Sequence, residues 1–398
     1  MRILMIAPEP FMEPRGTPFS VYHRAKALLA LGYEIDLVTY PIGEKVALPG
    51  LHVYRTPSLP FIRKVKIGPS LAKLPLDMLL FLTALWRLLR PGLRRYRYLH
   101  THEEAGLMGV ALAFLFGCTG LKHIYDMHSD LAQQMSNFAF SKSALFIRAV
   151  EAIQKLIVRR AHAVIAICPD LEQTVRRLSP HTPVYMIENV AVDEALPPAN
   201  AADALRLRQQ LKIGDGPVLL YTGTFESYQG IELLLRSAAI VHSACPTARY
   251  VLVGGKPEQV AKQRLLARQL GVADMLCFTG QRPLQEMPQY IALADILLSP
   301  RSGGTNTPLK LYTYLRSGKP ILATAILSHT QILTPAVARL VTPTAEGLAQ
   351  GAIELLQDRS LALTLAEKGK QLAEKHYSWP AFMEKNRLAY NAFTGSQA

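Results

Sequence analysis

A loop rich in glycine and hydroxyl residues, SPRSGGTNTPLK at 299–310, carries residue types suited to holding a phosphate. The apolar segment ADILLSP before it predicts a buried strand, and the segment after it predicts a helix. If Pro308 occupies the first turn of that helix, the preceding backbone amides are free to face an anion. Those amides belong to Gly303, Gly304, Thr305 and Asn306. Lys310 would add a mobile positive charge, although an ordinary strand-to-helix turn explains the same glycine pair.

A second turn of this kind lies within PVLLYTGTFESYQGIELLLRS at 217–237. Residues 218–222 predict a buried strand, Gly223 and Thr224 a turn, and Ile231 the start of a helix. Neither turn has the GxGxxG spacing of a dinucleotide site. The Gly-Lys pair at 318–319 is followed by proline rather than serine or threonine, so it is not a P-loop. The sequence therefore gives no motif support to a dehydrogenase or an ATPase.

The size and cysteine content of the chain limit the classes of protein to which it can belong. Its 398 residues are enough for two domains of ordinary size, each with its own core. Its cysteines form no CxxC pair, so we expect buried free thiols in a reducing compartment and no metal site. Met1 and Arg2 lead directly into the apolar segment ILMIA without a signal-peptide pattern, which predicts a cytoplasmic protein.

The net charge of +14 predicts an acidic partner: nucleic acid, an anionic membrane or a phosphorylated substrate. Basic residues gather in the region 61–97, around the apolar run MLLFLTALW that ends at Trp86. They are Arg63, Lys64, Lys66, Lys73, Arg87, Arg90, Arg94, Arg95 and Arg97. This composition is typical of a helix lying on an anionic bilayer, and the run is too short to span one. A core helix with a solvated basic flank is the alternative.

Two further features concern partners. The uncharged run 105–121 approaches the length of a membrane span, but predicted strands flank it closely, so we expect a buried crossover helix. No recognised nucleic-acid module or aromatic-basic platform accompanies the charge, so nucleic acid is not expected as a partner.

Strand and helix patterns alternate along both halves of the chain. Predicted strands are 3–7, 34–39, 51–55, 98–102, 123–127, 163–167 and 183–187, then 218–222, 250–253, 276–279, 296–299, 321–323 and 339–341. Alternation with near-continuous apolar strands predicts an α/β fold of two doubly wound, Rossmann-like domains facing across a cleft. The predicted parts are a domain at 1–195, a linker at 196–216, a domain at 217–379, and a helix at 380–398 crossing back to the first domain.

In order and spacing, several segments resemble the retaining, nucleotide-sugar-dependent glycosyltransferases of family 4, which have the GT-B fold. The family's opening strand, glycine-containing loop, helix and second strand are resembled by the segments MRILMIAPEP and RGTPFSVYHRAKALLALGYEIDLVT of this chain. LHTHEEAGLMG and IYDMHSD are similar to the family's histidine-containing strand ends, and CFTGQRPLQEMPQYIALADILLSP to its base-binding turn. The loop at 303–324 stands where the family's donor motif lies. The resemblance covers nearly the whole chain.

The resemblance implies roles for individual residues. His128 would reach the transferred sugar, with His100 and His102 at neighbouring strand ends facing the cleft, and Gly303, Gly304 and Lys310 would stabilise the departing diphosphate. Donor-binding residues would be Gly16, Gly223, Thr224, Gln229, Gly254, Gly255, Gly280, Gln281, Arg282, Thr305, Asn306 and Thr313. A plain turn or a structural histidine explains each of them as well.

Four positions depart from the family pattern. Thr305 and Thr313 stand at the positions of the two donor-site glutamates, and Thr224 and Gln229 replace the arginine and lysine of the first phosphate turn. A hydroxyl group bonds a sugar hydroxyl more weakly than a carboxylate does. Either the site has been rebuilt or donor turnover has been lost.

The sequence therefore predicts a metal-independent hexosyl transfer from a nucleotide-diphosphate sugar to a hydroxyl acceptor, since no Asp-x-Asp motif accompanies the donor loop. The expected acceptor is a glycan or is lipid-linked, in cell-envelope polysaccharide or glycolipid assembly, and the expected partner surface is anionic lipid contacted through 61–97. Two alternatives remain open. One is a nucleotide-sugar epimerase using His102 and Glu103 as acid and base, and the other is a non-catalytic partner protein.

Overall fold

The computed structural model describes residues 1–13, 16–60, 73–90, 96–131, 143–191 and 199–395, with the single positions 62, 65, 70, 133 and 196. Contacts within the chain divide it into two units. The first unit comprises Met1–Asn189 and Pro380–Ala398, and the second comprises Val190–Trp379. Each unit contains one parallel sheet.

The first unit is built on a seven-stranded sheet in the order β3-β2-β1-β4-β5-β6-β7. Its strands are β1 (Arg2–Ala7), β2 (Glu34–Thr39), β3 (Leu51–Arg55), β4 (Tyr96–His102), β5 (Lys122–Met127), β6 (Ala163–Ala166) and β7 (Val184–Met186). Its helices between strands are α1 (Gly16–Ala30), α2 (Lys73–Leu89), α3 (Ala105–Phe116), α4 (Ala144–Arg160) and α5 (Pro169–Leu178). All six strand pairs are parallel, as near-continuous apolar strands predict.

The second unit is built on a six-stranded parallel sheet in the order β10-β9-β8-β11-β12-β13. Its strands are β8 (Val218–Thr222), β9 (Arg249–Val253), β10 (Leu276–Gly280), β11 (Ile296–Ser299), β12 (Ile321–Thr324) and β13 (Arg339–Val341). Its helices are α6 (Ala201–Leu211), α7 (Ile231–Ala244), α8 (Pro257–Gln269), α9 (Met287–Leu293), α10 (Lys310–Arg316), α11 (Leu327–Thr330), α12 (Ala345–Gln357) and α13 (Arg359–His376). Two doubly wound parallel sheets confirm the predicted α/β class.

The C-terminal helix, α14 (Trp379–Gly395), packs on the first unit. Tyr390 and Phe393 from α14 lie against Tyr98 of β4, with ring centres 5.5 and 6.2 Å away. The Lys122 ammonium group also donates to the Phe393 carbonyl at 2.7 Å. Buried aromatic pairs of this kind stabilise a contact beyond the area they bury, which explains why the chain end stays on this sheet.

The segment expected to be a linker, 196–216, contains helix α6. An Asn200–Asp203 capping box starts this helix, and Leu207 and Ile213 lie in the core of the second unit. The cap and the apolar positions stabilise a packed helix within the segment predicted as a linker. The boundary positions 192–195, 197 and 198 lie outside the described residues.

The basic region at 61–97 is only partly described. Arg63, Lys64, Lys66, Arg94 and Arg95 lie outside the described residues. Arg87 is buried, and its guanidinium donates to the Asp36 carboxylate at 2.8 Å, so its prediction as a surface charge is wrong. Burial of both groups makes this pair part of the core rather than of a lipid-facing flank.

Helix α3 occupies most of the uncharged run at 105–121. It connects β4 to β5, as the prediction of a crossover helix requires. The expectation of full burial is wrong, since Leu107, Phe114 and Leu115 are exposed on its outer side. None of the described helices combines the length and apolar character that crossing a bilayer requires.

Candidate functional site

Three glycine turns meet at the carboxyl-terminal edge of the second sheet, after β8, β9 and β10. The amide of Gly254 donates to the carbonyl of Gly280 at 2.8 Å, and a Cβ on Gly254 would lie 1.9 Å from the Gly223 carbonyl oxygen. A Cβ on Gly255 would lie 2.5 Å from the Phe225 ring. Backbone therefore packs directly on backbone, which only glycine permits. The structure brings together the predicted turns and gives their glycines a packing reason.

The glycine pair of the loop after β11 lies beside open space. A Cβ added to Gly303 would meet nothing within 4 Å, and Gly304 has φ +98°. Helix α10 begins at Lys310, and Pro308 lies in the turn that leads into it, since its carbonyl accepts from the Leu311 amide at 3.0 Å. Residues 303–306 therefore do not lie on a helix terminus. Side chains hold the loop instead, because Gln331 donates to the Thr305 carbonyl at 2.6 Å.

The turns after β8 and β11 pack against each other. A Cβ on Gly230, which has φ +73°, would lie 1.8 Å from the Pro300 carbonyl oxygen. Arg301 donates from Nε to the side-chain oxygen of Gln229 at 3.3 Å and from Nη1 to the Asn306 carbonyl at 3.0 Å. Gln229 is thus buried as a partner of Arg301. Its contact with a donor stays a prediction.

Lys310 is half-buried, and its ammonium nitrogen is buried among aromatic rings, so packing restrains the charge that the sequence predicts to be mobile. Its ammonium nitrogen lies 3.9 Å from the Tyr221 ring centre and 6.0 Å from that of Tyr314. It has no hydrogen-bond partner among the described residues. Burial and then the neighbouring Arg301 hold the pKa of Lys310 well below its usual range. The aromatic faces stabilise the charge by cation–π attraction but leave its hydrogen-bonding capacity unused.

Arg301 and Lys310 influence each other electrostatically, and neither has a carboxylate counter-ion among the described residues. Burial lowers the pKa of Arg301, and no carboxylate is among the groups that raise the pKa of either residue. Arg301, whose Nη1 lies near Gly304, and the buried ammonium group of Lys310 favour an anion as ligand, because neither has a carboxylate partner among the described residues. The arrangement suits a phosphate or diphosphate.

His329 supports this loop, and the sequence analysis did not identify it. Its Nδ1 donates to the Thr324 carbonyl at 2.7 Å, so its Nε2 accepts from the Ser299 hydroxyl at 2.9 Å. Thr324 in turn donates from Oγ1 to the Arg301 carbonyl at 2.6 Å. Burial lowers the pKa of His329 to about 3, so the ring is neutral at ordinary pH. A lone histidine in LSHT gives no sequence signal of this role.

The remaining predicted donor residues lie on the same edge or loop. Gly280 has φ +69° with open space at its Cα, and Gln281 and Arg282 are exposed beside it. Thr224 accepts from the Tyr221 hydroxyl through its carbonyl at 2.7 Å. Thr313 is buried within α10. Their contacts with a donor remain predictions.

In the first unit, His128 follows β5 and joins a buried polar cluster. Its Nε2 lies 3.1 Å from Nδ1 of His102 and 3.2 Å from Oδ1 of Asp126. His100 is completely buried and bonds the Tyr390 hydroxyl on α14, so its prediction as a cleft residue is wrong. The sequence placed all three histidines at strand ends, but His102 and His128 are buried as well, so packing within the first unit covers all three rings.

Asp126 is the centre of this cluster, and the sequence analysis assigned it no role. Burial favours its neutral acid form, but Arg24 donates to Oδ2 at 2.9 Å, and with His128 it holds the pKa well below the usual range. Ligand atoms of His100, His102 and Asp126 lie within 4.8 Å of one another, which is close enough for metal ligands. The guanidinium already occupies the carboxylate, so these residues fit an ion pair better than a cation site.

Gly16 and a cavity in the second unit lie outside the two clusters described above. Gly16 begins helix α1, although it was expected in a loop. A cavity of about 410 Å³ in the second unit is lined by residues such as Arg249 and Met275, at the start of β9 and beside β10. It therefore lies at the amino-terminal edge of the sheet, opposite the glycine turns.

Comparison with known proteins places this geometry in a class. The chain is similar over 99% of its length to all of the solved chain of sucrose-phosphate synthase from Thermosynechococcus elongatus, with a TM-score of 0.78 and 22% identity. The two Rossmann-like units thus have the fold of GT-B glycosyltransferases.

Two family models match the chain. Residues 15–190 match the model described as glycosyl transferase 4-like domain, and residues 203–372 match the model described as glycosyl transferases group 1. The chain therefore belongs to the group 1 glycosyltransferases of family 4, which confirms the resemblance.

Curated relatives include the alpha-D-kanosaminyltransferase of Streptomyces kanamyceticus, 23% identical over 60% of this chain and 64% of that protein. Another is the GDP-mannose-dependent alpha-(1-6)-phosphatidylinositol monomannoside mannosyltransferase of Mycobacterium tuberculosis, 26% identical over 48% of this chain and 54% of that protein. The matched part spans between about half and two thirds of these relatives.

Proposed function

We propose that this protein transfers a sugar from a nucleotide-diphosphate sugar to a hydroxyl group of an acceptor, with retention of anomeric configuration and without a metal ion. Family membership supports the reaction class. The observation that carries the donor assignment is the half-buried Arg301 beside Gly304, together with the buried ammonium group of Lys310; neither has a carboxylate partner in the described part of the chain. A diphosphate would supply the missing negative charge.

The chemistry follows from where charge develops. The bond between the anomeric carbon and the phosphate oxygen breaks, and the diphosphate leaves with the bonding electrons. Lys310 and the amides of Gly303 and Gly304 stabilise that negative charge as it forms. The acceptor oxygen attacks the same face of the sugar, and its proton passes to the departing phosphate. His128 bonds a sugar hydroxyl in this scheme.

The departures from the family pattern fit a rebuilt site. Thr224 and Gln229 carry no charge where the family has an arginine and a lysine, and Gln229 is bound to Arg301. Arg301 and Lys310 would therefore replace the missing cations from the β11 side. Thr305 and Thr313 would replace the two glutamates with hydroxyl groups, whose weaker hydrogen bonds predict modest affinity for the donor.

Calorimetric titration with UDP, GDP and ADP tests the donor site. We expect one of the nucleotides to bind, and Lys310→Met to weaken it at least tenfold. Lys262→Met is the matched control, since Lys262 is an exposed lysine of the same unit paired to Glu232. Binding of none of the three would instead favour the non-catalytic alternative, for which the absent glutamates are the specific observation.

The acceptor proposal rests on the first unit. The mannosyltransferase relative is named for a phosphatidylinositol-linked acceptor, and the basic region 61–97 suits an anionic membrane. We therefore propose a lipid-linked or glycan acceptor in cell-envelope polysaccharide or glycolipid assembly, reached from the cytoplasmic face of the inner membrane. Transfer of labelled sugar into a lipid extract, compared with a water-soluble glycan, distinguishes the two acceptors.

The epimerase alternative gains no support from the proposed acid and base. The His102 ring bonds His128, whereas Glu103 accepts from the Ser129 hydroxyl at 2.5 Å, so the two groups have separate partners. Product analysis with donor alone decides this point, because an epimerase converts the donor without any acceptor.

A further inference from the structure

Three neighbouring helices of the first unit expose most of the large apolar side chains on the described surface. Helix α3 contacts both α2 and α4. Of nineteen exposed large hydrophobic residues in the described chain, twelve lie on these three helices. The exposed apolar side chains are therefore concentrated on one face of the first unit. They are Leu74, Met78, Leu82, Trp86 and Leu89 on α2, Leu107, Phe114 and Leu115 on α3, and Leu145, Phe146, Ile153 and Leu156 on α4.

The spacing on α2 shows that this exposure is directional. Leu74, Met78, Leu82 and Trp86 recur every four residues, which places them in one stripe along the helix. The opposite side of α2 is buried through Leu76, Leu80, Ala84 and Leu88, in the same core cluster as Leu112 of α3. Helix α2 is therefore apolar on both sides. A helix of this kind requires a second apolar environment.

Charge on the same face favours one kind of partner. Exposed basic residues are Arg90 after α2, and Arg148, Lys155, Arg159 and Arg160 on α4. The sequences of the three helices contain two acids, Asp77 and Glu151. Asp77 accepts from the Tyr40 hydroxyl at 2.5 Å, and burial raises its pKa to about 7, so it offsets little of the positive charge.

We propose that this face, formed by α2, α3 and α4, docks onto an anionic lipid bilayer and lies in its interface. The inference deepens the proposed function and rests on it, since it names the surface that brings the enzyme to a lipid-linked acceptor. It extends beyond the region 61–97, because α3 and α4 supply more than half of the exposed apolar residues and most of the described basic ones.

The bilayer is favoured over a second copy of the chain for a physical reason. Pairing this face with itself would bring two sets of basic residues together with one exposed acid, Glu151, on each side. Anionic lipid supplies opposite charge to the basic residues and an apolar phase to Trp86 and Phe114, which is 82% exposed. Arg90 stacks 3.8 Å from the Trp86 ring centre, placing a charge beside the ring that would sit at the interface.

Trp86 provides a direct reporter. The chain has two tryptophans, so Trp379→Phe leaves Trp86 alone on the proposed face. With vesicles of phosphatidylcholine and phosphatidylglycerol, we expect a blue shift of its emission and quenching by brominated acyl chains. Vesicles of phosphatidylcholine alone should give a much smaller change. An unchanged spectrum with anionic vesicles would overturn the proposal.

Paired variants separate the apolar and charged contributions. In co-sedimentation, Met78→Glu with Leu82→Glu should reduce the partition coefficient at least tenfold. Leu265→Glu with Leu363→Glu, at similarly exposed positions of the second unit, should not change it. Arg148→Gln with Lys155→Gln should reduce binding roughly 25-fold at low salt, about fivefold for each charge. Equal binding by all variants would also overturn the proposal.

Two further measurements remove ambiguity. Circular dichroism and nucleotide titration without vesicles should be unchanged in the Met78 and Leu82 variant, which separates lost docking from lost folding or lost donor binding. If the protein binds vesicles but no nucleotide, the transferase proposal fails and the proposal of a lipid-binding surface is kept. If sedimentation equilibrium shows a dimer that these substitutions abolish, the face belongs to a second copy and the lipid proposal is wrong.

Discussion

The ammonium nitrogen of Lys310 lies 3.9 Å above the ring of Tyr221, at the start of α10, with no hydrogen-bond acceptor among the described residues. A lysine in this setting is costly for the folded protein, because burial disfavours its charge. In the proposed site, which lacks the family's arginine and lysine, a bound diphosphate would favour the charged form of Lys310 and gain a positive partner from it.

Lys310→Met should change the pH dependence of stability. The folded pKa of Lys310 lies below its unfolded value, so between the two the unfolded chain binds more protons and wild-type stability rises with pH. The variant should lack this rise, which can reach about 1.4 kcal/mol per pH unit. Urea unfolding between pH 7 and 9.5 measures it. Parallel profiles for wild type and variant would contradict the assignment, and Lys262→Met should follow the wild type.

Gly230→Ala should displace the donor loop. The new Cβ would lie 1.8 Å from the Pro300 carbonyl oxygen, at a residue with φ +73°. Gly271→Ala is a matched control, because Gly271 has φ +69° with nothing within 4 Å of the added atom. We expect about 1 kcal/mol of destabilisation for the control and at least ~2 kcal/mol more for Gly230→Ala, with loss of nucleotide binding. Equal effects in urea unfolding would show that the two turns do not need close contact.

Asp126→Asn should strongly destabilise the protein. It would leave the buried guanidinium of Arg24 without its carboxylate, a change that typically costs about 3–5 kcal/mol. Glu172→Gln removes the half-buried partner of the exposed Arg176 and should cost about 0.5 kcal/mol or less. Since the folded pKa of Asp126 is lowered, its contribution is present above about pH 4 and is lost as pH falls further. Denaturant midpoints for both variants at pH 7 and pH 3.5 test the sign.

Glycosyl transfer should persist in excess chelator. The proposed charge stabilisation comes from Arg301, Lys310 and backbone amides rather than from carboxylates that would hold a cation. Initial rates in EDTA, with and without later manganese, provide the measurement. Activity abolished by EDTA and restored by manganese would contradict a metal-independent mechanism.

Much of the fold followed from periodicity. The strands at 34–39, 51–55, 218–222, 296–299 and 339–341 have the predicted bounds, and the other predicted strands differ by one or two residues at their ends. Buried parallel strands have apolar runs bounded by turn residues, so a local pattern is enough to find them. Helix α6 was missed as a helix because the residues around it are rich in Pro, Ala and Gly.

The chemistry of the site was harder to predict from the sequence than the fold. The glycine turns were found, because glycine marks close backbone approach wherever it occurs at a strand end. The burial of Lys310, the covering of His100 by Tyr390 and the support of Arg301 by His329 each join residues distant in sequence or hidden by packing. No spacing rule predicts which side of a residue a neighbouring element will cover.

The sequence by itself determined the parallel α/β architecture, the glycine turns and the excess of positive charge, since all three depend on residue type and short-range spacing. Only the tertiary structure decided which charges are paired within the protein and which are left to bind a ligand. Arg87 and Arg24 neutralise buried carboxylates, whereas Arg301 and Lys310 have none. The physical reason is desolvation, because the free energy of a charged side chain depends on the groups that packing places around it.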